Sequence, residues 1–124
     1  MRLILKKDAP EFAIPGVTFI GLAAPSRGAT ETAVWRAIIA PETPGQPHAL
    51  TREEIFVALA GAAEVTVDGE TQAFRAGDCL IVKAGQQVCL ANPHREAFEL
   101  IAVLPIGGQA VLGNGEAFTP PWAA

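Results

Sequence analysis

No cluster of lysines and arginines occurs in this sequence: nine basic residues are scattered among thirteen acidic ones, for a formal net charge of -4. Proteins that bind nucleic acid neutralise several phosphates with grouped cations, so that class of partner is excluded. Long apolar runs are missing too. The longest, residues 55–63, falls far short of the ~20 residues needed to cross a bilayer and suits a buried strand followed by a bend. Leu3, Ile4 and Leu5 are followed at once by Lys6, Lys7 and Asp8, which leaves none of the ~7–15 apolar residues of a signal peptide. The expectation is a cytoplasmic protein with no nucleic acid and no membrane among its partners. Cysteine is scarce: Cys79 and Cys89 lack the CxxC spacing or the numbers of a disulfide framework, and both are expected as free, small, mostly buried thiols. Helical periodicity, internal repeats and low-complexity tracts are also lacking.

What is present is apolar material in short pieces. Half of the 124 residues are hydrophobic and 18% are charged, enough to close one core and not enough chain for a second. Runs of four to nine residues, cut by Gly, Pro, Asp and Asn, give the pattern of an all-β sandwich or barrel. The expected strands are 17–22, 32–40, 55–60, 62–67, 71–74, 79–82, 87–91, 98–104 and 110–112. Asp68-Gly69, between alternating β-branched and polar residues, supplies the positive φ angles of a tight two-residue hairpin. Further turns at Gly77-Asp78 and Ala84-Gly85 make 54–92 read as an uninterrupted antiparallel meander. Two proline-rich pieces flank it, 40–47 and 118–124, and neither suits a central strand because proline lacks the ladder donor. The first is expected as a loop at a barrel mouth. Phe118 and Trp122 give the second enough apolar area to dock on the barrel or on a partner subunit.

Two segments carry a resemblance. In PHALTREEIFVALAG, His48, Glu54 and Gly61 keep the spacing of a motif that runs His, one residue, His, three or four residues, Glu, six residues, Gly. In GDCLIVKAGQQVCLAN, Gly77, Gly85 and Asn92 match a second motif of Gly, five residues, Pro, one, Gly, two, His, three, Asn. Together they resemble the paired motifs of the cupin superfamily. That resemblance implies an all-β, double-stranded β-helix (jelly-roll) cupin barrel: one domain over 1–124, with an N-terminal extension or strand in 1–16, the motifs in 45–92 and a C-terminal tail in 113–124. The departures are Leu50 at the second His position, Val88 at the third, Lys83 for the Pro, and Gly45 closer to His48 than the motif's leading glycine.

Metal-binding cupins gather three His and one Glu inside the barrel, a donor set suited to Fe, Mn, Ni, Zn or Cu. Leu50 and Val88 offer no lone pairs, so no metal and no other cofactor is expected from these positions. Cys89 or His94 would have to be brought inward by a register shift to replace the lost ligands, and strict alternation puts Cys89 on the opposite side of its strand from Val88.

The candidate ligand-contacting residues are therefore His48, Leu50, Glu54, Val88 and Trp35. A lone buried carboxylate costs several kcal/mol, so Glu54 must pair with His48, hold a proton, or lean toward solvent. Paired in a pocket, the two would form a metal-free acid/base couple. Otherwise they are relics, His48 capping a loop and Glu54 a solvated acid beside Glu53. Trp35 shares a face with Ala33 and Ala37, opposite to Arg36, and fits a pocket wall or ordinary core. The turn Ser26-Arg27-Gly28 fits a solvated loop or an anion-binding arginine.

Three functions stay open: a non-metal barrel that binds a small organic molecule or serves as a dimeric scaffold; a cupin enzyme, either metal-dependent through atypical ligands or built on His48 and Glu54; and an interaction domain with a vestigial pocket. The mean hydropathy of +0.30 exceeds what one small barrel easily hides, and a homodimer is expected.

Overall fold

Alternation of large and small apolar residues writes the first sheet. Strand β3 (Thr32–Ile39) turns Ala33, Trp35, Ala37 and Ile39 inward, and β10 (Phe98–Pro105) does the same with Phe98, Leu100, Ala102 and Leu104. The two pair antiparallel along their whole lengths, Phe98 against Ile39 and Pro105 against Thr32. The computed structural model describes residues 1–124. Around β3 and β10 it adds β1 (Glu11–Ile14), β2 (Val17–Ala23), β5 (Glu54–Ala60) and β8 (Cys79–Val82), in the spatial order β1-β2-β3-β10-β5-β8. The second sheet holds β4 (His48–Leu50), β6 (Ala62–Val67), β7 (Glu70–Arg75), β9 (Gln87–Ala91), β11 (Ala110–Val111) and β12 (Ala117–Phe118), in the order β12-β11-β4-β9-β6-β7. One core of 18 buried hydrophobic residues joins the two sheets into the jelly-roll barrel.

The meander expected over 54–92 is corrected by this topology. Strand β5 lies between β10 and β8, whereas β6 lies between β9 and β7 in the opposite sheet. Gly61 makes the crossing possible. Its φ of +77° belongs to the left-handed region, and a Cβ there would overlap the Ala97 carbonyl, so only glycine lets the chain leave one sheet for the other at this point. Within the second sheet the Asp68-Gly69 hairpin forms as expected, with φ of 48° and 85° at its two central residues. Glu64 to Val67 then pair with β9, which in turn pairs with β4, placing His48 opposite Val88.

Two short strands escape the sequence pattern. β4 and β12 sit beside prolines and count only three and two residues, and partners supplied by distant β9 and β11 are what order them. β1 forms within the expected N-terminal extension. The proline-rich tail docks on the barrel: the Trp122 ring stacks on Phe19 at 3.6 Å and 4°, with Phe12 edge-on at 6.5 Å. Such aromatic pairs add ~0.5–1.5 kcal/mol beyond area burial.

Arg27 presents no anion site. Its Nε donates to the Leu22 carbonyl at 2.6 Å, and Ser26 Oγ donates to the Ala124 carbonyl at 2.7 Å, so the turn fastens the tail. Both cysteines are free, but Cys79, expected buried, is exposed, because it starts an edge strand with its side chain on the outer face. No helix is long and apolar enough to cross a membrane.

Candidate functional site

A cavity of about 220 Å³ opens between the sheets at the end where the tail docks. Its volume comes from small side chains, Ala37 on β3 and Ala110 on β11, set among Trp35, Phe56 and Leu100. Fourteen of the twenty-one lining residues are hydrophobic, and Thr43, Gln46, His48 and Glu54 are the polar ones. Thr43 and Gln46 come from the proline-rich loop at the mouth, as the sequence predicts for 40–47, and a backbone bridge between Thr43 and Asn92 fixes that loop. The tail closes another part of the wall with Phe118, Pro120 and Trp122.

Glu54 is the chemically unusual member. It opens β5 in phase with Phe56 and Ala58, all three inward, and only 2% of it is exposed, while Glu53 beside it is exposed. The reading of Glu54 as a solvated acid is thereby corrected. Its carboxyl has no hydrogen-bond partner in the chain, and its oxygens are not sealed in protein but open on the cavity. Burial among apolar neighbours pushes its pKa up from the ordinary 4.5 to about 8, so at neutral pH the group is a carboxylic acid that can donate a hydrogen bond.

His48 does not pair with it. His48 Nδ1 lies 3.0 Å from the Gln46 carbonyl, and since a carbonyl only accepts, Nδ1 carries the proton. In the neutral ring Nε2 is then a bare acceptor, on a side chain that lines the same cavity. The couple read from the sequence is thus two separate groups lining one cavity from opposite sheets, a donor from Glu54 on β5 and an acceptor from His48 on β4.

Of the other sequence candidates, Leu50 and Trp35 line the cavity. Val88 faces inward opposite His48 but is wholly buried in the core and does not border the cavity. Thr43, Gln46, Phe56 and the tail were missed as lining; the proline loop and tail aromatics were the available signals, and their docking depends on distant partners. Asn92, which matches the second motif, serves the frame: its Nδ2 donates to the carbonyls of Ile39, Ala40 and Glu96, and its Oδ1 accepts from the His94 backbone N–H.

The residues present do not fit a transition metal. One imidazole nitrogen and one carboxyl stand where four donors would be needed, and nowhere do three or more His, Cys, Asp or Glu gather in a way that could hold an ion. Cys89 lies on the face of β9 away from the cavity, opposite Thr66, and burial raises its thiol pKa. His94 is exposed beyond the end of that strand.

The comparisons with known proteins agree with this architecture. The structure resembles the polyketide cyclase RemF from Streptomyces resistomycificus with a TM-score of 0.77 at 16% identity, covering 85% of this chain and 79% of that one. KdgF from a Halomonas species matches with a TM-score of 0.71 at 16% identity, over 83% and 93% of the two chains. Salicylate 1,2-dioxygenase from Pseudoaminobacter salicylatoxidans matches at 0.66 and 21% identity, over 76% of this chain and 26% of the much longer enzyme. At such identities the likeness speaks for the fold alone. A search of curated proteins found no match to this sequence. The Cupin domain family model, however, matches residues 35–104, more than half of the chain and the whole stretch from Trp35 to the inner face of β10, and the chain belongs to the cupin family.

Proposed function

We propose that this protein is a non-metal cupin, acting in the cytoplasm, whose barrel binds a small, largely apolar organic molecule. The observation that carries this reading is the cavity itself: about 220 Å³, predominantly hydrophobic, with an unpartnered buried carboxyl opening into it. Binding pockets for small molecules have this composition, an apolar wall with a few polar groups that fix orientation. Side chains that could not hold an ion, Leu50 above all, make the cavity apolar where a metal-binding relative would be polar. Two free thiols accord with a reducing compartment.

A second reading is favoured by Glu54 and His48 facing one space as proton donor and proton acceptor: metal-free acid/base catalysis on the bound molecule. The test of the first reading is a ligand-observed NMR screen of apolar fragments, with elemental analysis of protein purified without a metal-chelating tag. Fragments that bind native protein and lose binding in Ala37→Trp, which fills the cavity, support it. One equivalent of a transition metal per chain, or no fragment bound, refutes it. Loss of any detected turnover in both His48→Ala and Glu54→Gln, with binding retained, would establish the second.

A further inference from the structure

The polar groups on the cavity wall define more than a site; they define the charge and the hydrogen-bonding pattern of what enters it. No lysine or arginine lines the cavity, so an anionic ligand would find no counter-charge there. The two titratable side chains that line the cavity are Glu54 from the first sheet and His48 from the second; strands β3, β8, β9, β10 and β11 turn only apolar side chains toward the interior beside them. Arg52 and Glu53, next in sequence, are exposed outside.

An ammonium ligand would require Glu54 to ionise among Trp35, Phe56 and Leu100 and would itself be stripped of water, and a pair of desolvated charges in an apolar wall rarely recovers that cost. A pure hydrocarbon would leave the carboxyl with no partner at all. The volume sets the scale: an apolar cavity of roughly 150 Å³ holds one benzene ring, so this one holds a single ring with a short substituent. Aromatic side chains on both walls, Trp35 and Phe56 on one and Phe118 on the other, offer a ring the edge and face contacts it prefers.

Resting on the ligand-binding reading above, we infer that the preferred ligand is a neutral single-ring aromatic compound whose substituent carries an oxygen acceptor for the Glu54 acid and an N–H or O–H donor for His48 Nε2. Aromatic amides, lactams and hydroxy-carbonyl compounds form this class. Glu54 is its specificity-determining residue, because its carboxyl is buried, has no partner in the chain and opens on the cavity.

Four probes of nearly equal shape separate the possibilities: benzamide (neutral, acceptor and donor), benzoate (anion), benzylammonium (cation) and ethylbenzene (no polar group). Titration calorimetry at about pH 6.5 is expected to give benzamide an affinity at least roughly tenfold above the other three, the discrimination typical of a site whose buried polar groups a wrong ligand leaves unpaired. Glu54→Gln, which keeps an N–H donor in the same shape, is expected to retain benzamide. Glu54→Leu is expected to lose it by a similar factor and to bind ethylbenzene more tightly.

Between about pH 6.5 and pH 10, benzamide binding to the native protein is expected to weaken by roughly tenfold as Glu54 ionises, and to stay level in Glu54→Gln. Benzoate or benzylammonium binding as well as benzamide would overturn the neutral class, and ethylbenzene doing so would show that the polar groups select nothing; in either case small-molecule binding itself would stand. Failure of all four to bind at millimolar concentration, in protein shown by NMR to be folded, would overturn both the class and the binding reading.

Discussion

Replacing Glu54 by glutamine should stabilise this protein, and by an amount that depends on pH in a way the structure dictates. In the unfolded chain the carboxyl ionises near 4.5; in the folded barrel it ionises near 8. Between those values the folded state holds a proton that the unfolded state has released, so stability falls as pH rises across the window. It is unaffected below about pH 4.5, where both states are protonated, and reaches a constant deficit above about pH 8, where both are ionised. Each pH unit inside the window removes about 1.4 kcal/mol. By pH 7 the native carboxyl has therefore cost a few kcal/mol, and somewhat more above pH 8, against a total stability of only ~5–15 kcal/mol for a domain of this kind.

Glutamine matches the shape and carries no titratable proton, so it escapes the whole term. Urea unfolding of native protein and Glu54→Gln at a series of pH values from about 5 to 8 measures it, as a stability difference that widens by ~1.4 kcal/mol per unit in favour of the variant. A difference that stays level across that range would refute the claim that this side chain is buried and protonated, and with it the donor role assigned above.

Asn92 supports the frame of the site, and Asn92→Ala should cost about 2–3 kcal/mol at any pH, since it orphans the carbonyls of Ile39, Ala40 and Glu96 together with the His94 N–H. Thermal unfolding of the variant checks this, and an unchanged midpoint would contradict it. A second copy of this chain is the expected occupant of the outer face of the first sheet. Across β2, β3, β10, β5 and β8 that face carries Ile55, Val57, Leu59, Ile81, Ile101 and Val103, with Leu59 47% and Ile81 57% exposed. Its only charges, Arg36 and Glu99, have opposite sign and pair at 3.2 Å, which suits a self-complementary contact. Strands of seven, eight, eight, seven and four residues, about 4.8 Å apart and rising about 3.3 Å per residue, span roughly 540 Å² before side-chain relief is counted, against the ~800 Å² a stable interface takes from each partner. Light scattering at tens of micromolar should report a dimer, and Val57→Glu with Ile81→Glu a folded monomer; a monomeric native protein would refute the assignment.

Much of the barrel was legible in the chain because its signals are local. The Asp68-Gly69 hairpin follows from two residues that tolerate positive φ, and the inward phase of Trp35 from plain alternation with Ala33 and Ala37. Motif spacing marked His48, Leu50 and Glu54, and all three reach the cavity. Strand β5 shows where local reading stops. Its outward set, Ile55, Val57 and Leu59, is more apolar than its inward set, Glu54, Phe56 and Ala58, so pattern alone would turn the strand around and leave the acid in water.

Residue order by itself determined the strand content, the tight turns, the family and the absence of a four-donor set at the motif positions, since each is a matter of which residue types stand at which spacing. Tertiary structure alone decided that β5 and β6 part at Gly61, that the tail and the proline loop close the cavity, that Val88 is walled off from it, and that Glu54 rather than Glu53 faces inward. A side chain's solvent, and therefore its charge, is set by the strands packed across from it, and those arrive from distant parts of the chain.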